Sequence, residues 1–160
     1  MLSELFALAE KEDIIIRYTI LPSDILGVYY SVCGKLPVIL LDESVRICRK
    51  LTRCILAEEL GHHFTCGINL MVFARHQRYI TEKYERLALW WATKYLLPWE
   101  ELFSVTTDNG DFTVPELAEH FDVTERFMWT SLKLYNEKMP RQMNRLNKIL
   151  NLREGVFSSA

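Results

Sequence analysis

Apolar residues recur at two different periods along this chain, and the change of period divides it. Leu2, Leu5, Phe6, Leu8 and Ala9 stand at helical spacing and predict a short opening helix. Residues 14–20, Gly27-Val28-Tyr29-Tyr30 and residues 37–41 are runs rich in β-branched and aromatic side chains, punctuated by Pro22, Gly27, Gly34 and Pro37, which predicts a small three-stranded sheet. Beyond it the spacing turns helical. Asp42 or Ser44 suits the cap of a helix running to Cys66, with Gly67 as its stop, and a second long helix over 73–97 ends at Pro98. Thr106-Thr107-Asp108-Asn109-Gly110-Asp111 is a turn-rich break, after which 114–121, 124–135 and 140–152 read as three further helices. The expected class is α+β and mostly helical, with a core over 1–105 and a helical C-terminal segment over 106–160 that either stands apart or packs onto the core as one domain.

Composition narrows this picture. A chain of 160 residues is long enough for one real core with an appendage, and its 49% hydrophobic and 25% charged residues are ordinary for a globular protein, so neither disorder nor a membrane-embedded class is expected. No apolar run approaches the roughly 18 to 20 residues that span a bilayer, and Met1-Leu2-Ser3-Glu4 opens no basic-then-apolar leader; a cytoplasmic protein is expected. The net charge of -2 removes the overall positive excess that nucleic-acid binding favours. Cys33, Cys48, Cys54 and Cys66 form no C-x-x-C pair and read as buried thiols of a reducing compartment, neither a disulfide framework nor a zinc knuckle.

The candidate chemistry sits in Ala57-Glu58-Glu59-Leu60-Gly61-His62-His63, which nearly reproduces the zinc-peptidase helix motif His-Glu-x-x-His with Glu58 in place of the first histidine. At about 100° per residue, the stripe of Cys48, Leu51 and Ile55 continues into Glu58, Glu59 and His62, while Arg46, Arg49, Lys50 and Arg53 lie away from it. Carboxylates and an imidazole aimed where apolar side chains point need a partner, and a cation is one. Glu58 and His62, one turn apart, can grip a single ion, leaving Glu59 to act as general base on a water carried by that ion. Spacing alone also permits Glu59 and His63 as the ligand pair; the first register is preferred because Leu60 and Gly61 then match the motif and a glutamate is left beside the ligand pair. The bland alternative is an exposed acidic helix end with histidines set against the dipole. On the second long helix Glu85, Ala88, Leu89, Ala92 and Leu96 share a face; the alanines would allow close approach, bringing Glu85 to the same ion as third ligand. A solvated Glu85 is its bland counterpart, and Cys66 is a rival ligand.

Leu56-Ala57-Glu58-Glu59-Leu60-Gly61-His62-His63, followed by Glu85-x-x-Ala88-x-x-Trp91-Ala92 and Leu96-Leu97-Pro98, resembles the ImmA/IrrE family of metallopeptidases, phage and mobile-element members above all. The likeness spans roughly residues 25 to 135. It implies a zincin-like core, zinc held at the positions of Glu58, His62 and Glu85, Glu59 as the catalytic base, and cleavage of a helix-turn-helix repressor protein. This chain departs from the family pattern at Glu58.

The departure has a physical consequence. Two carboxylates and one imidazole nearly cancel a divalent charge, so the metal is a weaker Lewis acid, its water less acidic, and turnover modest. Oxygen-rich ligation also shifts preference from zinc toward manganese or another hard divalent ion. A catalytically weak or inactive relative that binds a repressor as an anti-repressor is the alternative. Residues 113–132 resemble a helix-turn-helix, yet Glu116, Glu119, Asp122 and Glu125 would repel phosphate, so a packing module is expected rather than a DNA reader. A basic, amphipathic segment over 138–153 reads as a docked terminal helix, or else a partner-binding one. His76 and His120 stand alone, and the tryptophans are assigned to packing.

Overall fold

A computed structural model describes residues 2–22, 24–66, 78–108 and 112–143 of the chain, which falls into two compact units, Met1–Leu96 and Leu97–Ala160. In the first unit helix α1 (Leu2–Lys11) leads into strands β1 (Ile15–Thr19), β2 (Gly27–Tyr30) and β3 (Val38–Asp42), which coincide with the three apolar runs. β3 lies in the middle, parallel to β1 and antiparallel to β2, so the sheet is mixed and β2 is an edge strand. Gly34 turns the chain between β2 and β3 at φ 77°, a left-handed conformation that strains any side chain.

The register decides which backbone groups face outward. The Asp42 amide donates to the Leu26 carbonyl, and antiparallel pairing then alternates. Val28 and Tyr30 therefore bond to β3, whereas the amides and carbonyls of Gly27 and Tyr29 point off the free edge of β2. Tyr29, Ile39 and Leu41 are buried on the face against which helix α2 (Arg49–Thr65) packs.

Helix α2 starts later than the capping residues suggest. Asp42 accepts from the Ser44 amide at 2.9 Å, but the turn it caps is a separate 3-10 helix over Glu43–Ile47, and Cys48, extended at φ -129°, interrupts the chain before α2. Thr52 joins the two pieces by donating its hydroxyl to the Val45 carbonyl at 2.6 Å. The expected stripe is also redrawn: Cys48 is exposed and Leu51 and Ile55 are half-buried, while Thr52, Cys54, Leu56, Ala57, Glu59, Leu60, Gly61 and His62 are buried. These residues surround the helix because α1, β2, β3 and helix α3 (Arg78–Leu96) all pack on it, and a helix covered on several sides loses one-sided periodicity.

Helices α2 and α3 meet most closely at Gly61. A Cβ there would collide with the backbone carbonyl oxygen of Ala88 and come within 2.9 Å of its carbonyl carbon and Cα. On α3, Ala88, Ala92 and Leu96 are buried as expected, Leu89 is half-buried, and Glu85 stands at the exposed end of that face. The Gly67 stop, the start of the second long helix at 73, His76, and positions 144–152 of the last predicted helix lie outside the described residues. No helix among those described is long and apolar enough to cross a membrane.

The second unit starts at Leu97, earlier than the boundary expected near 105. Helix α4 (Trp99–Asp108), which the sequence pattern does not single out, is the reason. Leu102 and Thr106 are buried, the Trp99 ring lies 5.3 Å from that of Tyr135, and the Tyr135 hydroxyl donates to the Leu97 carbonyl at 2.6 Å. Thr106 donates its hydroxyl to the Leu102 carbonyl at 2.9 Å, so the helix continues into the predicted break. Helix α5 (Val114–His120) matches its expected span, and α6 (Glu125–Lys138) starts where expected but runs on past 135 to Lys138. Thr113 and Glu116 form a capping box on α5, Thr124 caps α6, and Asp122 makes the corner at φ 53°, which aspartate tolerates. Because the Tyr135 hydroxyl is buried, Tyr135→Phe is expected to destabilise this unit by about 1 to 2 kcal/mol, read as a lower midpoint of urea denaturation at unchanged slope.

Candidate metal centre

The last two turns of α2 carry Glu58, Glu59, His62 and His63, and the geometry separates their roles. His62 and Glu59 are each only 8% exposed. Across the helix contact, the Nε2 of His62 lies 3.3 Å from Oε2 of Glu85 on α3, whose side chain is 55% exposed. Close packing at Gly61 and Ala88, one helical turn beyond Glu85, makes that distance attainable. Glu58, half-buried, adds its negative charge to the neighbourhood of both Glu59 and His62.

Glu59 faces the sheet. Its carboxylate accepts from the Tyr29 backbone N–H, the amide that points off the free edge of β2. Gly27 permits this approach, since a Cβ there would stand 2.7 Å from Oε1 of Glu59 and 2.6 Å from Cγ2 of Ile55. Burial pushes the Glu59 carboxyl up to about 7; His62 opposes the rise, the charges of Glu58 and Glu85 add to it, and the Tyr29 amide opposes it. For His62, burial pulls the imidazole down, yet the hydrogen bond to Glu85 and the charges of Glu59, Glu85 and Glu58 outweigh that and leave it raised. In the metal-free protein, therefore, Glu59 and His62 both hold protons more tightly than free side chains do.

His63 points elsewhere. Its Nδ1 lies 3.0 Å from the Tyr29 hydroxyl and its Nε2 3.7 Å from Oε2 of Glu12, which leaves Glu59 without the His63 partner that the second ligand register requires. Cys66 is half-buried beside Thr65, with its Sγ 3.7 Å from the Thr65 hydroxyl, and burial pushes its thiol up, which disfavours the thiolate a metal needs. His120 faces Glu101 at 3.8 Å, in the second unit.

Two observations bear on whether these residues suit a divalent ion. Legs of about 2.0 to 2.1 Å at the tetrahedral angle give a ligand-to-ligand edge of about 3.3 Å, and the His62–Glu85 separation of 3.3 Å has that length. The Nδ1 of His62 is buried with no hydrogen-bond partner among the described residues, so the outer acceptor that orients a metal-ligating imidazole is not supplied by them. Nitrogen and carboxylate oxygen are donors that zinc and manganese both accept. Against a complete set, no three His, Cys, Asp or Glu side chains are gathered in a metal-holding cluster among the described residues. Of the expected trio, His62 and Glu85 are brought together and Glu58 is not assembled with them.

Sequence reasoning did not single out Tyr29, Gly27 or Glu12 for this centre. Gly27 carried a usable signal, since a glycine opening an apolar strand marks close approach by another element. Nothing local in the sequence ties Glu12 to His63. Comparison of the chain with protein-family models, curated proteins and solved structures finds no match.

Proposed function

We propose that this chain is a metal-dependent endopeptidase with a zincin-like core, acting on a regulatory protein such as a helix-turn-helix repressor. The observation that carries the reading is the His62–Glu85 pair at 3.3 Å beside a buried carboxylate, Glu59. His62 and Glu85 would hold the ion, with Glu58, one turn before His62 on α2, as the third donor. When bound, a zinc or manganese ion supplies Lewis acidity that polarises a peptide carbonyl and makes water a better nucleophile.

The chain's own residues do the rest. Glu59 takes a proton from the attacking water onto its carboxylate and returns it to the nitrogen of the departing amine. The Tyr29 amide holds that carboxylate in one orientation, and Gly27 leaves no side chain between β2 and Glu59. His62 would hold the ion through Nε2 as a neutral imidazole, with the Glu85 carboxylate, 3.3 Å from that nitrogen, as the adjacent donor. The substrate class follows from the resemblance of the helix motif and the Glu85 segment to the ImmA/IrrE peptidases.

A second reading has its own support. Only two of the three ligands are gathered, which suits a protein that binds a repressor without cutting it. Calorimetric titration of zinc and of manganese into chelator-treated full-length protein separates the two. A peptidase should take up about one ion per chain, with affinity at least about tenfold weaker in His62→Ala and in Glu85→Gln, and should cut a tagged helix-turn-helix repressor only with metal present. Failure to bind either ion at millimolar concentration would sink the peptidase reading.

A further inference from the structure

His63 ties three elements of the first unit together. It is carried by α2, its Nδ1 reaches the Tyr29 hydroxyl on β2 at 3.0 Å, and its Nε2 faces Oε2 of Glu12, the residue after α1, at 3.7 Å. A carboxylate only accepts, so Glu12 favours the proton on Nε2. Nδ1 is then the acceptor and the Tyr29 hydroxyl donates to it. The Tyr29 ring is buried and meets the imidazole edge-on, with centroids 5.7 Å apart.

Tyr29 is thus held twice by the same helix. Its amide goes to Glu59 and its hydroxyl to His63, one helical turn further along α2. β2 is a four-residue edge strand, and the Tyr29 amide belongs to the half of its backbone groups that β3 does not use. The ladder holds only the neighbours of that amide, Val28 and Tyr30, so the hydroxyl is the side-chain anchor that ties Tyr29 itself to α2. Gly27 sharpens the requirement, because a slip by one residue would bring a side chain against Oε1 of Glu59.

We propose that His63 is a positioning residue: through Tyr29, and braced by Glu12, it fixes the free edge of β2 so that the Tyr29 amide stays on the Glu59 carboxylate. The catalytic consequence rests on the peptidase reading, whereas the positioning itself belongs to the fold. In full-length, metal-free protein, amide hydrogen exchange followed by NMR tests it. Tyr29→Phe, which removes only the hydroxyl, and His63→Leu should each speed exchange at position 29 by about fivefold or more relative to Val28 and Tyr30, whose amides bond to β3. His63→Asn, which keeps an acceptor near the place of Nδ1, should restore protection. Unchanged exchange at position 29, or equal acceleration at all three amides, overturns the proposal. Where cleavage is measurable, Tyr29→Phe should lower kcat with KM unchanged. Absence of cleavage by every form including the parent protein would refute the peptidase reading and leave the exchange result to decide this one.

Discussion

Replacing Glu59 with glutamine is expected to abolish cleavage and, in the metal-free protein, to raise stability above pH 7. On the proposed peptidase reading, loss of the carboxylate should cut kcat by about 10²-fold to 10⁴-fold, while glutamine keeps the shape and still offers an oxygen to the Tyr29 amide. The stability effect comes from burial, which lifts the carboxyl from an ordinary 4.5 to about 7. Between those values the folded chain holds a proton that the unfolded chain has released, so stability falls as pH rises through this window. A shift of that size corresponds to about 3 kcal/mol once the carboxyl is fully ionised. His62 works in the same sense: its raised imidazole stabilises the fold below the ordinary 6.5, and that contribution is lost as pH rises through the folded value. Removing the Glu59 charge also removes one cause of the His62 shift. Chemical denaturation with chelator present should find the variant equal to the parent near pH 4 and about 2 to 3 kcal/mol more stable at pH 8. A variant no more stable at pH 8 would mean that Glu59 ionises there without strain, and retained cleavage would remove it from the chemistry.

The local patterns were legible where one face of an element decides its sequence. The three strands announce themselves because Ile39 and Leu41 alternate with half-buried neighbours and glycine or proline punctuates the runs. Helices α5 and α6 carry their own start signals in Thr113, Glu116 and Thr124. Reading failed where several elements share one helix. α2 is covered by α1, β2, β3 and α3, so its buried residues lie all round, and the stripe Cys48–Leu51–Ile55 marks its rim instead of its core. The compact units divide at Leu97 and not near 105 for a related reason: Tyr135 reaches the Trp99 ring and the Leu97 carbonyl, contacts that join positions more than 30 residues apart and that no local window contains.

The centre was legible in part. Spacing on two helices was enough to pair His62 with Glu85, because the small residues at Gly61, Ala88 and Ala92 signal close helix approach. The same spacing could not rank Glu58 against Glu59. Their depths differ because Glu58 continues the half-buried line of Leu51 and Ile55, whereas Glu59 follows Thr52 and Leu56 into the sheet. Tyr29 and Glu12 enter through tertiary structure alone, which is why the bracing of His63 could be found only in three dimensions.

Gly61→Ala should be markedly destabilising, although alanine is the better helix former by about 1 kcal/mol. The added methyl would strike the Ala88 backbone, with its carbonyl carbon and Cα at 2.9 Å and its carbonyl oxygen nearer still. Backbone atoms inside a helix cannot step aside as a side-chain tip can, so α2 and α3 must separate or shear. Overpacking of this kind costs about 1 to 3 kcal/mol, and weaker packing along Ala88, Ala92 and Leu96 adds to it, so a net loss of about 2 kcal/mol is expected after the propensity gain is subtracted. Gly61→Val, with more bulk and poorer helix propensity, should lose about 4 kcal/mol. Separation also stretches the 3.3 Å distance between His62 and Glu85, so on the proposed metal reading zinc affinity should fall at least about tenfold even under conditions where the alanine variant is fully folded. Ala88→Gly offers the control: it trims a methyl but leaves the obstructing backbone, so the double variant should recover nothing and lose about 1 kcal/mol more than Gly61→Ala through the poorer helix propensity of glycine. Thermal and urea midpoints as high as the parent's in Gly61→Ala would mean that helix propensity outweighs the collision, and the close approach of the two helices would no longer account for how His62 meets Glu85.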